Sequence, residues 1–101
     1  MSRVLTIRRV TVPLARSEEY RSLVAALATR LALQQQHLWL FELHGTPGTW
    51  LEFVEGAGDR HHRAVGPADA ESAALEAALL ALAPATDAAT EIWDEARLPH
   101  S

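Results

Sequence analysis

Four groups of residues in this chain have types and spacings that could do chemistry. Glu52 sits in the run Thr49-Trp50-Leu51-Glu52-Phe53-Val54-Glu55. A carboxylate among aromatic side chains takes a raised pKa and could act as a general base or hold a polar ligand group. The other reading is an ion pair, because an arginine in a central strand needs an anion, and Arg8 or Arg9 would supply Glu52 with a partner. Glu42 and His44 stand two apart on one strand and point the same way, the arrangement of a general acid/base pair. Beside a turn the same two residues also read as an ordinary solvated pair, and with no third ligand they make no metal site. His61 and His62 lie between Arg60 and Arg63 in a polar stretch that reads as a solvated loop, or as a lid over a cavity. Trp39, Phe41 and Trp50 could wall an aromatic cavity around a small hydrophobic ligand. Gly56-Ala57-Gly58 fits no phosphate-loop spacing, and no Ser-His-Asp context is present. These residues call for no cofactor and no metal.

The elements that would position these groups follow from apolar spacing. Val4–Pro13 reads as a first strand, rich in β-branched residues and closed by a proline. Ser17 supplies a helix N-cap, with Glu18 and Glu19 at the positive end of the dipole. Tyr20, Leu23, Val24, Leu27 and Leu31 then form one apolar stripe. His37–Gly56 reads as two strands joined by a turn at Gly45-Thr46-Pro47-Gly48. Symmetric pairing about that turn sets Leu43 against Trp50, Phe41 against Glu52 and Trp39 against Val54. Glu52 would then share a surface with the aromatics, and the hairpin is apolar on both sides. After a loop from Gly56 to Gly66, Asp69 caps a second helix through Ala83, with Leu75, Leu79 and Leu82 on one face. Thr90–Leu98 reads as a last strand at a sheet edge.

Composition bounds the rest. The 101 residues suit a single domain spanning 1–101, 49% of it apolar, with no cysteine for a disulfide, thiolate site or nucleophile. A net charge of −4 without a basic stripe argues against nucleic acid. All nine basic residues are arginine and alanine is abundant, which coding bias explains without function. No run approaches the ~20 apolar residues of a membrane span, and the N-terminus lacks a signal-peptide pattern. A cytoplasmic protein is the expectation.

The order strand, helix, strand, strand, helix, strand is the ferredoxin-like β-α-β-β-α-β topology of an α+β protein. It forms a four-stranded antiparallel sheet with two helices on one face and strands one and three central. Two helices cover one face of a sheet that is apolar on both. The other face is expected to meet a second copy, giving a symmetric homodimer.

This order, the two-sided sheet and the run from Thr49 to Glu55 resemble the dimeric α+β barrel superfamily, with its antibiotic-biosynthesis-type monooxygenases and stress-responsive barrel proteins. The resemblance implies the fold and the dimer. Those monooxygenases enter the second helix quickly and carry a histidine late in it. Here residues 57–68 intervene and the second helix has no histidine, so the resemblance carries over no catalytic residue. Three functions stand open: a cofactor-independent monooxygenase-like enzyme acting on a small aromatic compound, a non-catalytic ligand-sensing dimer, and a purely structural dimer.

Overall fold

The computed structural model describes residues 2–84 and 91–99. The chain runs β1 (Arg3–Thr11), α1 (Ser17–Leu33), β2 (His37–Glu42), β3 (Thr49–Ala57), a single turn α2 (His62–Val65), α3 (Ala70–Leu82) and β4 (Glu91–Asp94). The strands form one antiparallel sheet in the order β2-β3-β1-β4. This is the expected ferredoxin-like topology, with β1 and β3 central. β4 is the expected edge strand but shorter than Thr90–Leu98, and Thr90 lies outside the described residues.

Alternation in the two central strands sorts their side chains. Val4, Thr6, Arg8 and Val10 of β1, and Trp50, Glu52, Val54 and Gly56 of β3, are buried toward the helices. There they meet Tyr20, Val24, Leu27 and Leu31 of α1 and Leu79 and Leu82 of α3, which form the core. The helix stripes are those that the spacing predicts.

The hairpin register differs from the symmetric pairing by one residue. Glu42, not Leu43, stands opposite Trp50, and Leu40 stands opposite Glu52. The connection holds an odd number of residues, 44 to 48, because the Leu43 N–H donates to the Thr49 carbonyl at 2.8 Å. Gly48 makes this turn possible. Its φ is +92°, and a Cβ there would lie 2.8 Å from the Val12 carbonyl oxygen, the strand end on which the turn rests. A slip of one residue in a strand moves every side chain to the opposite face. Trp39 and Phe41 therefore lie with Phe53, Leu5 and Ile7 on the face away from the helices, while Glu52 and Trp50 lie beneath them.

The helix termini follow local chemistry with one correction. Ser17 is not the cap: a 3-10 turn, Leu14–Arg16, leads directly into α1, and Arg16 occupies the N-cap without a side-chain bond to the helix backbone. At the C-terminus Gln35 takes the left-handed conformation, φ +61°, that glycine usually supplies. The Gln36 N–H bonds the Leu31 carbonyl and the Gln35 N–H that of Ala32, the paired bonds of a Schellman motif. Asp69 caps α3 as expected, accepting from the Ser72 N–H at 2.8 Å.

Since a side chain at positive φ costs about 1–2 kcal/mol, Gln35→Gly is expected to stabilise the fold by roughly 1 kcal/mol. Urea denaturation with an unchanged m-value and a higher midpoint would show it.

Candidate functional site

The register that takes Glu52 away from the open-face aromatics places it in a charged cluster under α1 and α3. Glu52 is fully buried. Arg8, its cross-strand neighbour on β1, donates from Nε to Oε1 at 3.0 Å and from Nη2 to Oε2 at 3.3 Å. Of the two candidate arginines, Arg8 turns inward, and Arg9 faces the open side of the sheet. Tyr20 of α1 donates its hydroxyl to Glu52 Oε2 at 2.5 Å. Arg63 of α2 brings Nη1 within 2.7 Å of Glu52 Oε1.

A second carboxylate closes the cluster. Glu76 of α3 accepts from Arg63 Nε at 2.9 Å and Nη2 at 3.4 Å, stands 2.7 Å from His62 Nε2, and lies 3.9 Å from Arg8 Nη1. Two guanidinium and two carboxylate groups thus share one largely buried compartment, and their formal charges cancel. The electrostatics follow. Burial works against the charged form of Glu76, but the His62 hydrogen bond, the Arg63 charge and hydrogen bonds, and the Arg8 charge outweigh it and hold this carboxyl at about 2. Burial, together with the charge and hydrogen bond of Glu52, pushes the Tyr20 hydroxyl far above its ordinary range, so it stays a donor.

A cavity of about 220 Å³ opens on this cluster, lined by Arg8, His62, Arg63, Glu76 and Leu80. The larger depressions lie away from it. One, about 550 Å³, runs between α1 and β2 along Val24, Leu38 and Leu40. Another, about 520 Å³, lies on the open sheet face among Leu5, Trp39, Phe41, Phe53 and Trp93. We place the candidate site at the smaller cavity because fixed charges meet there. An oxygen atom of a ligand in it would face two guanidinium groups held rigid by their carboxylates. Among the described residues no group of three or more His, Cys, Asp or Glu could hold a metal ion.

The residues singled out by sequence fall into three places. Glu52 and Arg8 form the centre of the cluster, with Trp50 packed against Tyr20 at 5.4 Å between ring centroids. Trp39 and Phe41 lie on the opposite face, so the expected aromatic cavity shared by Trp39, Phe41 and Trp50 does not form. Glu42 accepts from the Gly48 N–H at 3.1 Å and fastens the turn, while His44 is exposed there; among the described residues no bond joins the pair. The solvated-loop reading of His61 and His62 is overturned: both are buried and hydrogen-bonded. Tyr20, Arg63 and Glu76 complete the site unforeseen. One signal was legible, since Glu76 is an acid on an otherwise alanine and leucine face.

No family model matches the chain, and no curated protein matches it. Solved structures do. A variant of SnoaB, a cofactor-independent oxygenase from Streptomyces nogalater, superposes with a TM-score of 0.69 at 20% identity, covering 99% of this chain and 97% of that one. Rv0793 from Mycobacterium tuberculosis superposes with a TM-score of 0.66 at 18% identity, covering 99% of each. The likeness extends over the whole chain and shows that the fold is the one the resemblance implied. Among the described residues no helix is long and apolar enough to cross a membrane.

Glu52→Gln leaves two buried guanidiniums short of one charge and is expected to cost about 3–5 kcal/mol. Tyr20→Phe removes one charge-assisted bond and is expected to cost about 2 kcal/mol. Equilibrium denaturation of both variants measures the ratio. Equal, negligible losses would mean that the cluster is not closed as described.

Proposed function

We propose that the protein is a homodimeric, cofactor-independent oxygenase of a small aromatic compound carrying an ionisable hydroxyl or an acidic C–H. The observation that carries this reading is the pair of buried, carboxylate-held arginines facing the cavity between sheet and helices. Such an enzyme must first stabilise the substrate's anion, because molecular oxygen accepts electrons readily only from an electron-rich, deprotonated ring. Arg8 and Arg63 supply fixed positive charge where that oxyanion would form, and the proton the substrate loses passes to solvent at the cavity mouth. Glu76, ionised at any working pH, keeps Arg63 in place and holds His62 beside the cavity. The similarity to SnoaB supports the reaction class, and the cytoplasmic setting belongs to the same reading.

The dimer forms through the open sheet face. Leu5, Ile7, Trp39, Phe41, Phe53 and Trp93 share that face. Trp39, Phe41 and Trp93 stay 41%, 55% and 55% exposed in the protomer. An apolar patch of this kind usually marks an interface, and two copies related by a two-fold axis would bury it. A second reading, a structural dimer without catalysis, draws on the saturation of both cluster carboxylates.

Oxygen consumption with anthrone separates the two readings. One anthrone and one O₂ give one anthraquinone and one water, the substrate supplying the electrons. Catalysed uptake without added metal or flavin is expected, and Glu76→Gln, which frees Arg63 from its place at the cavity, should lower the rate per folded protein, counted by circular dichroism, by on the order of a hundredfold. Uptake no faster than in buffer would leave the structural reading. Separately, sedimentation at micromolar concentration should give twice the 11.0 kDa chain mass, and Phe41→Asp should give the monomer.

A further inference from the structure

Residues 58–66 have the composition of a surface loop, yet they carry two deeply buried side chains. His61 is 0% and His62 2% exposed, while Asp59, Arg60 and Val65 face solvent. His61 fastens the segment with both ring nitrogens. Its Nε2 lies 2.8 Å from the Val54 carbonyl oxygen, an acceptor, so the proton is here. Its Nδ1 accepts from the Arg63 and Ala64 N–H groups at 3.1 and 3.3 Å, capping α2, so it carries none. Only the neutral imidazole makes both sets of bonds. A proton added at Nδ1 would set an N–H against two N–H donors.

Gln36 is the second fastening. Its Nε2 donates to the Arg60 carbonyl at 2.9 Å and its Oε1 accepts from the His62 N–H at 2.8 Å. Gly56 makes room for it, since a Cβ there would lie 2.7 Å from Gln36 Cγ. What this segment delivers is His62 and Arg63, one wall of the charged cavity.

We propose that residues 58–66 are a detachable wall of the cavity, latched by neutral His61 and pinned by Gln36, and that protonation of His61 releases the latch and opens the cavity. The opening stands on this geometry alone, and only what it admits rests on the oxygenase reading. The charged groups around His61 oppose its protonation in place. Burial comes first, and His62 and Arg63 on its own segment add to it, against the bond to the Val54 carbonyl. Glu55 on β3 is the carboxylate that feels the His61 charge, and it is engaged first by Arg3 of β1 and also by the charge of His37 on β2. Glu76 of α3 faces His62 instead. The closed wall thus holds His61 below its ordinary 6.5, while the open wall restores that value. The closed state is favoured fully above pH 6.5 and loses ground as pH falls through it. Between pH 7.5 and 5.5 the open population rises by up to about tenfold. With Arg63 withdrawn, Glu52 keeps Arg8 and Tyr20, so the sheet itself stays intact.

Amide hydrogen exchange of the full chain at the two pH values, corrected for intrinsic rates, tests this. A loss of protection of up to about tenfold at pH 5.5, confined to residues 61–66, is expected, with β1 and β3 unchanged. His61→Gln keeps a donor for the Val54 carbonyl and cannot titrate, so its protection should be equal at both pH values. Should that variant fail to fold, the wild type decides: the His61 ring and the Arg63 and Ala64 amide resonances titrate together, with a midpoint below 6.5. Equal protection in the wild type, loss spread over the whole sheet, or amides indifferent to the ring would overturn the proposal. A responsive wall in a protein that consumes no oxygen with anthrone would defeat the oxygenase reading alone. Turnover behind an unresponsive wall would defeat the latch alone.

Discussion

A carboxylate with no exposed surface in the middle of a sheet has to be neutralised, and much of this protein's arrangement answers that requirement at Glu52. Burying an isolated ion is prohibitive, so the charge persists only with close, well-directed partners. They come from three elements far apart in sequence: Arg8 from β1, Tyr20 from α1 and Arg63 from α2. Arg63 then needs its own counter-charge, which Glu76 of α3 provides. The positions of both long helices over the sheet, and of the short α2, are tied to one another through this chain of charges. A buried network of this kind fixes geometry more than it adds stability, since aliphatic side chains of similar volume often serve stability as well or better.

Much of the architecture was legible because it rests on periodicity. The stripe from Tyr20 to Leu31, the capping aspartate at Asp69 and the β-branched first strand each depend on neighbours a few residues away. Their order then left few topologies to consider. The ion pair between Arg8 and Glu52 was legible for a different reason, since one of the two readings of Glu52 required a cation nearby and β1 offered Arg8 or Arg9.

The failures share a physical cause. Hairpin register depends on how many residues the turn consumes, and that was decided by Gly48 lying against Val12 rather than by symmetry within the turn. An error of one residue exchanged the two faces of β2 relative to β3 and wrongly grouped Glu52 with Trp39 and Phe41. His61 and His62 were misread because composition reports the average character of a segment. Two imidazoles turned inward among exposed neighbours leave no periodic trace. Tyr20 belonged to the helix stripe and looked apolar in that role, although its hydroxyl is what reaches Glu52.

The division of labour between the sheet faces frames how function could vary within such a fold. One face carries fixed charge and a small cavity, the other carries aromatics on open ground, and each can change without rewriting the other. The contact between Gly56 and Gln36 shows a tighter linkage. The missing side chain at one position is the space occupied by the other, so neither can drift alone. Across related chains the two positions should therefore covary. A larger residue at 56 would accompany a shorter one at 36, and in such lineages the 58–66 segment would have to be anchored by some other means.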